Sequence, residues 1–274
     1  MGVYRFIKRY FTKIESSFYK RDDKIWVFGE WNGQRCCDNS LFLANYIVNH
    51  HKDIKAYWIT NVGTDTTLLD SKIEVIDRQS REAIPILKKA KVVVMNQGLL
   101  DFSDDLTDYF GNSITVNLWH GVPWKKIFLD AYKSKGLLKY IKTSVVFASS
   151  KAKCYLSPSR ICTDIMCNAA KLRNSQIIEA GYPRNSLFYD ANMVDAARCD
   201  IIKAIGEQII NDDTKIITYM PTFRDGQEGT FSFHSFGKKR ELLNILQENN
   251  AVIIEKAHFV NKDVLCNCEK KHIS

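Results

Sequence analysis

Short β-branched and apolar runs alternate with amphipathic helical stretches along most of this chain, and this alternation limits the possible folds more than any other feature. Such alternation favours a largely parallel sheet covered by helices, the doubly wound α/β arrangement. The predicted strands of the first part are residues 25–29, 55–60, 73–77, 92–96, 113–118 and 143–149, and the predicted helices are residues 40–49 and 81–90. We therefore expect one Rossmann-like domain over residues 23–180.

A second unit of the same kind is predicted from Gly181 onwards. Its expected elements are helices at residues 194–210 and 239–249 and strands at residues 215–219 and 251–255. Two or three strands are few for a sheet of this type. We therefore expect residues 181–274 to form a partial second domain.

The first 22 residues predict a basic amphipathic helix. Apolar side chains recur there at three- and four-residue steps, and Arg5, Lys8 and Arg9 stand among the residues between them. A helix of this type can lie in the headgroup layer of an anionic membrane. The alternative is a helix packed on its own domain, because aromatic stripes usually belong to a core.

The net charge of +8 is concentrated in two segments of the chain. Residues 1–24 carry seven basic and three acidic side chains, and residues 124–142 carry six lysines against one aspartate. Two local basic surfaces suit an anionic lipid or polymer, whereas no nucleic-acid partner is expected because a base-stacking platform or recognition motif is missing. The residues expected to bind the acceptor or the membrane are Lys125, Lys126, Lys133 and Lys135. The alternative is a solvated helix face with no ligand.

The eight cysteines are scattered and include no Cys-x-x-Cys pair. Scattered thiols in a chain of 274 residues fit a reducing compartment better than a disulfide framework. No run of about eighteen uninterrupted apolar residues occurs, so no membrane-spanning helix is expected. No metal site and no cofactor are expected either.

The segment around His120 carries the clearest signal for chemistry. Residues 113–118 read as a buried strand, and Gly121 and Pro123 mark a turn directly after it. His120 is therefore expected at the carboxyl edge of a sheet, where ligands bind in open α/β folds and where an imidazole commonly accepts a proton. The alternative is a histidine that caps the following helix.

Several motifs in order resemble those of the CDP-glycerol glycerophosphotransferase family, the teichoic acid polymerases and primases. Residues 119–125, Trp-His-Gly-Val-Pro-Trp-Lys, are similar to its Trp-His-Gly-Thr-Pro-Leu-Lys block. Residues 28–40 resemble its first strand and loop, and residues 181–185, Gly-Tyr-Pro-Arg-Asn, resemble its interdomain crossover. Residues 219–225, Tyr-Met-Pro-Thr-Phe-Arg-Asp, and residues 256–258, Lys-Ala-His, resemble two blocks of its second domain.

The resemblance implies two Rossmann-like domains of glycosyltransferase-B type. It also implies an activity: transfer of glycerol phosphate, or a related polyol phosphate, from a CDP-polyol to a lipid-linked acceptor, with release of CMP, in teichoic acid or capsule-type polymer synthesis. The expected location is the cytoplasmic face of the cell membrane, with peripheral attachment. Two other functions share the fold: a nucleotide-sugar glycosyltransferase, and an inactive membrane-associated remnant.

The resemblance assigns His120 and His258 as catalytic residues. It assigns Thr222, Arg224 and His258 to the donor phosphates, for which the guanidinium fork is well suited. From the residues alone, Arg224 has an alternative role in an ion pair with a neighbouring acid. The family's next block, an Asp-Tyr-Ser-Ser segment that holds the pyrophosphate, has no counterpart here, so the resemblance implies a chain truncated at its carboxyl end.

Overall fold

The computed structural model describes residues 3–104, 107–206, 209–220 and 238–255. The chain divides into two compact units, Met1–Asp190 and Ala191–Ser274. The sequence placed the boundary at residue 180, whereas in the structure the first unit ends at Asp190. The reason is that Tyr182 and Arg184 hydrogen-bond to residues of the first unit and keep their segment there.

The first unit is built on a seven-stranded sheet in which every neighbouring pair is parallel. The strands are β1 Asp22–Phe28, β2 Lys55–Thr60, β3 Glu74–Asp77, β4 Ala90–Met95, β5 Ile114–Asn117, β6 Cys154–Ser157 and β7 Ile177–Glu179. Their spatial order is β3-β2-β1-β4-β5-β6-β7. The chain thus moves outwards from β1 in one direction and then returns to fill the other side, which is the order of doubly wound nucleotide-binding folds.

The helices of this unit are α1 Val3–Ser16, α2 Asn39–His50, α3 Ala83–Lys89, α4 Leu137–Ser150 and α5 Arg160–Ala170. Two of them begin at side-chain caps, because Asp38 accepts a hydrogen bond from the Asn39 amide and Ser159 accepts one from the Cys162 amide. α5 ends at Lys171, whose backbone is left-handed (φ 53°).

The core lies on both faces of the sheet. Val27 and Val93 contribute to the hydrophobic cluster on one face, whereas the next residues, Phe28 and Val94, contribute to the cluster on the other. Successive side chains of a strand point to opposite faces, so central strands buried on both sides are apolar at nearly every position. This explains why their sequences read as continuous apolar runs.

Five of the six strands predicted for this unit are confirmed, and both predicted helices are confirmed as α2 and α3. The strand predicted at residues 143–149 is wrong, because these residues belong to α4. Short apolar runs have no decisive period, and here the exposed side chains of Ile141 and Val145 follow the helical spacing of four. The sequence analysis also missed β6, α5 and β7.

The second unit contains α6 Ala191–Ile205, β8 Lys215–Tyr219, α7 Lys239–Glu248 and β9 Ala251–Glu255. The two strands are parallel and pair along their whole length, from Lys215 with Ala251 to Tyr219 with Glu255. These elements confirm the four that the sequence predicts. Within the described ranges, no helix combines the length and the apolar character needed to cross a bilayer.

Candidate active site

The carboxyl ends of β1, β4 and β5 meet at one edge of the seven-stranded sheet. The strand order changes direction between β1 and β4, and in open α/β sheets such a switch point forms a ligand-binding crevice. His120 follows β5 after two residues and therefore lies at this edge, as the sequence predicts. The loop after β1 and the first residue after β4, Asn96, lie at the same edge.

The His120 imidazole is partly buried between two tryptophans. Its ring centroid lies 4.4 Å from that of Trp119 and 5.8 Å from that of Trp31. Burial lowers the pKa of His120 below 6.5, and the charge of Arg184 acts in the same direction, whereas Asp38 and the Asn96 backbone oppose the shift. The neutral form of the ring is therefore favoured. Its Nδ1 has no hydrogen-bond partner among the described residues.

Both tryptophans beside His120 have a left-handed backbone. The φ angle is 49° at Trp31 and 59° at Trp119. A bulky side chain in this region costs about 1–3 kcal/mol and persists only where surrounding contacts enforce it. At Trp119 the contacts are hydrogen bonds from its amide to Asn117 Oδ1 (2.8 Å) and from Asn39 Nδ2 to its carbonyl (3.0 Å).

Asp38 connects Trp31, in the loop after β1, to the start of α2. One carboxylate oxygen accepts hydrogen bonds from the Asn39 amide (2.8 Å) and from Arg184 Nη1 (2.6 Å). The other accepts a hydrogen bond from the indole nitrogen of Trp31 (3.1 Å). The Asp38 side chain is only 4% exposed, so the Arg184 guanidinium provides the charge that a buried carboxylate requires.

Two more buried carboxylates, Glu30 and Asp101, hold the ends of β1 and β4. Glu30 accepts hydrogen bonds from the amides of Cys37 and Asp38 and from the Asn96 side chain. Asp101 accepts hydrogen bonds from three backbone amides, those of Asn32, Asn96 and Gln97, at 2.8–2.9 Å.

These acids accept hydrogen bonds from the loops around them. Each carboxylate oxygen of Glu30, Asp38 and Asp101 already receives at least one N–H donor. No group of three or more His, Cys, Asp or Glu suited to a metal ion occurs in the part of the chain that the structure describes.

The two carboxylates should make the stability of the first unit pH-dependent. Burial raises the pKa of Glu30 to about 7 and that of Asp101 to about 6, although backbone amides oppose both shifts. A raised pKa means that the folded state holds the proton where the unfolded state has lost it, so this contribution falls as pH rises from about 4 to 7. Urea unfolding between pH 5 and pH 8 checks this. The unfolding free energy of the Glu30→Gln variant should change less across that range than that of the wild type. The same pH dependence in both proteins would contradict the assignment.

The sequence matches a known family model. Residues 10–273 match the model described as CDP-Glycerol:Poly(glycerophosphate) glycerophosphotransferase. The chain belongs to that family. The resemblance that the motifs indicate is thereby confirmed over nearly the whole sequence.

The curated relatives of this family member are teichoic acid enzymes. It is 25% identical over 243 residues to a teichoic acid poly(glycerol phosphate) polymerase of Bacillus subtilis (strain 168), covering 86% of this chain and 31% of the relative. It is 26% identical over 243 residues to a teichoic acid glycerol-phosphate transferase of Staphylococcus aureus (strain NCTC 8325 / PS 47), covering 85% of this chain and 59% of the relative. The chain thus spans less than a third of the first protein and about three-fifths of the second.

Solved structures confirm the fold class. The wall teichoic acid polymerase TagF superposes with a TM-score of 0.69 at 20% identity, covering 96% of this chain and 67% of that one. A TagF structure obtained after a soak with CDPG gives a TM-score of 0.70 at 18% identity, covering 97% and 64%. The family member therefore has the α/β fold of glycosyltransferase-B type that the sequence predicts.

The residues predicted to bind the donor phosphates, Thr222, Arg224 and His258, lie outside the described residues. The strands expected before them are present, since β8 ends at Tyr219 and β9 ends at Glu255. Their roles remain predictions.

The residues predicted to bind the membrane or the acceptor fall on two elements of the first unit. Arg5, Lys8 and Arg9 belong to α1. The lysine cluster, defined as Lys125, Lys126, Lys133 and Lys135, is exposed and follows His120 along the chain. Exposed apolar side chains accompany the cluster, and Trp124 is 90% exposed.

The structure adds residues to the site that sequence reasoning did not assign. They are Trp31, Asp38, Asn39, Asn96, Tyr182 and Arg184. Three of these lie within the motif of residues 28–40 and two within the motif of residues 181–185, so the family resemblance marked the segments. It did not show that the two segments meet around His120.

Proposed function

We propose that this chain takes part in the transfer of glycerol phosphate, or a related polyol phosphate, from a CDP-polyol to a lipid-linked acceptor in teichoic acid or capsule-type polymer synthesis. The proposal depends on one observation: His120 lies partly buried at the switch point of the sheet, where burial lowers its pKa, within a sequence that matches the glycerophosphotransferase family. A neutral imidazole in a crevice is the form that accepts a proton.

The reaction needs one proton transfer and one displacement at phosphorus. An acceptor hydroxyl oxygen forms a bond to the β-phosphorus of the CDP-polyol while its proton passes to His120. The bond from that phosphorus to the bridging oxygen breaks, and CMP leaves with the electron pair. General base catalysis of this kind contributes about 10²- to 10⁴-fold.

The developing negative charge on the phosphates requires donors. We assign this role to Arg224 and Thr222, and we assign His258 to the departing CMP, as a donor of a hydrogen bond or a proton. Charge-assisted hydrogen bonds of this type are roughly twice as strong as neutral ones, and the planar guanidinium can bind a phosphate through two parallel bonds. Arg224→Lys should raise the KM for the CDP-polyol more than Arg160→Lys, because lysine lacks the fork. Equal KM values in the two variants would contradict the assignment.

Attachment to an anionic membrane fits the surface of the first unit. On α1 the aromatic side chains Tyr10 and Phe11 are 56% and 65% exposed. Leu137 and Leu138, at the start of α4, are 73% and 76% exposed and follow the lysine cluster. Apolar burial together with lipid attraction is the mode of peripheral binding, which we place at the cytoplasmic face of the cell membrane.

Neutralising the lysine cluster should weaken vesicle binding. Each lysine near an anionic surface contributes about 1 kcal/mol, so replacing all four by glutamine should reduce partitioning into phosphatidylglycerol vesicles at least about tenfold. Sedimentation of vesicles with bound protein measures this. The matched control replaces Lys52, Lys55, Lys72 and Lys89, which are also exposed and lie outside both basic segments. Equal binding of the two variants would show that the lysine cluster is only a solvated surface.

Release of CMP tests the proposed activity directly. Purified protein is incubated with CDP-glycerol or CDP-ribitol and a lipid-linked glycerol phosphate acceptor, and nucleotides are separated by chromatography. Acceptor-dependent CMP from either donor supports the proposal. Release of UDP from a nucleotide sugar would favour a glycosyltransferase instead, and vesicle binding without release of any nucleotide would favour an inactive membrane-associated protein.

A further inference from the structure

We propose that the segment from Tyr182 to Arg184 is a clamp that positions His120, with Arg184 as the principal positioning residue. This inference rests on the proposed role of His120 as the general base. The clamp belongs to the first unit, because Pro183–Tyr189 precedes the boundary at Asp190.

The clamp holds two consecutive carbonyl groups of the turn that carries the imidazole. Arg184 Nη1 donates a hydrogen bond to the His120 carbonyl (3.2 Å), and the Tyr182 hydroxyl donates one to the Gly121 carbonyl (2.9 Å). Both donors come from a single short segment more than sixty residues away in sequence. A turn whose successive carbonyls are bound in this way has little freedom to move, so the backbone that carries the imidazole is held at the crevice.

The clamp is anchored to buried groups. Arg184 Nη1 also pairs with Asp38 at 2.6 Å, and that carboxylate caps α2 and binds the indole of Trp31. The Arg184 amide donates to Asn39 Oδ1 (3.3 Å), whose amide group in turn donates to the Trp119 carbonyl. The contacts thus connect the start of α2 to both tryptophans that flank the imidazole.

The clamp also sets the charge around the imidazole. The negative charge of Asp38 raises the pKa of His120, and the positive charge of Arg184 opposes that effect by lowering it. Burial raises the pKa of Tyr182 to about 12, so its hydroxyl keeps its proton and remains a donor. Loss of Arg184 would leave Asp38 unpaired beside the ring, which favours the protonated imidazole and removes the base.

Histidine titration by NMR tests the clamp without any assay of turnover. The His120 signal is assigned by its absence in His120→Gln, and its pKa is measured in the wild type, Arg184→Met, Arg184→Lys and Tyr182→Phe. The pKa should rise in Arg184→Met, rise less in Arg184→Lys, which keeps the charge, and stay unchanged in Tyr182→Phe. The control is Arg160→Met, since Arg160 is exposed on α5 and pairs with Asp164.

Turnover adds a second measurement. A misplaced base costs about 10²-fold, so kcat for CMP release should fall about that much in Arg184→Met and less in Arg184→Lys, whose ammonium can also donate more than one hydrogen bond from a single nitrogen. Tyr182→Phe removes one neutral hydrogen bond and should cost about fivefold. The Tyr182→Phe variant keeps the aromatic ring and its packing, so it can still be measured if the arginine variants fail to fold.

An unchanged His120 pKa in Arg184→Met, or a kcat equal to that of Arg160→Met, would overturn the clamp. Should Tyr182→Phe be the only folded variant, a kcat equal to that of the wild type would overturn it. If the wild type releases no CMP from any CDP-polyol, the proposed function fails. The NMR titration would still show whether Arg184 influences the pKa of His120.

Discussion

Replacing His120 by asparagine is expected to reduce kcat for CMP release about 10²- to 10⁴-fold while leaving the fold intact. Asparagine keeps a polar side chain of similar size but cannot accept the proton of the acceptor hydroxyl. The KM for the CDP-polyol should change little, because the base acts on the acceptor. The measurement is steady-state release of CMP with the lipid-linked acceptor.

The matched control is His51→Asn. His51 is exposed at the carboxyl end of α2, whereas Asp38 of the site caps the opposite end, so its variant should turn over like the wild type. Equal turnover of His120→Asn and His51→Asn would remove His120 from the mechanism.

The pH profile gives an independent check on the same residue. A general base must be unprotonated, so kcat should fall as the pH falls through the pKa of His120. Burial places that pKa below 6.5, and the activity should therefore be nearly constant between pH 7 and pH 8. An activity that continued to rise through this range would indicate a base with a higher pKa.

Replacing Asp101 by alanine is expected to cost at least about 3 kcal/mol of unfolding free energy. The side chain is fully buried and accepts hydrogen bonds from three backbone amides, those of Asn32, Asn96 and Gln97. Alanine would leave three buried donors without an acceptor, each at a cost of about 1 kcal/mol or more. Urea unfolding followed by circular dichroism measures the change.

The control for this variant is Asp164→Ala on the surface of α5. Asp164 is 59% exposed and pairs with Arg160, so its loss should change the stability by no more than about 0.5 kcal/mol. If Asp101→Ala were no less stable than Asp164→Ala, the amide contacts would not hold the loops together as described.

Much of the fold was predictable from local sequence, since the central parallel strands contain continuous apolar runs, Ile25 to Phe28 in β1 and Val92 to Met95 in β4. Residues 143–149 were predicted incorrectly because a short apolar run carries no decisive period, and the neighbouring turn and partners decide between strand and helix. β6 was missed because its four residues, Cys-Tyr-Leu-Ser, include no β-branched side chain, whereas the equally short β3 and β5 each contain two or more. β7 was missed because it has only three residues.

The site was predictable only in part. His120 stood out because a strand, a turn and a histidine follow one another locally. Asp38, Asp101 and Arg184 did not, because their partners are distant in sequence: Arg184 and Asp38 are 146 residues apart and Asp101 and Asn32 are 69 apart. No spacing rule connects such residues, and an acidic or basic side chain in a loop is usually exposed.

The sequence by itself determined the α/β class, the family and the position of His120 at the end of a strand, because these depend on neighbouring residues and on motif order. Only the tertiary structure decided that Trp31, Asp38, Tyr182 and Arg184 surround that histidine. The physical reason is that parallel strands bring their carboxyl ends together at one edge whatever their separation along the chain. The identity of the loops that meet there depends on strand order, which local patterns do not encode.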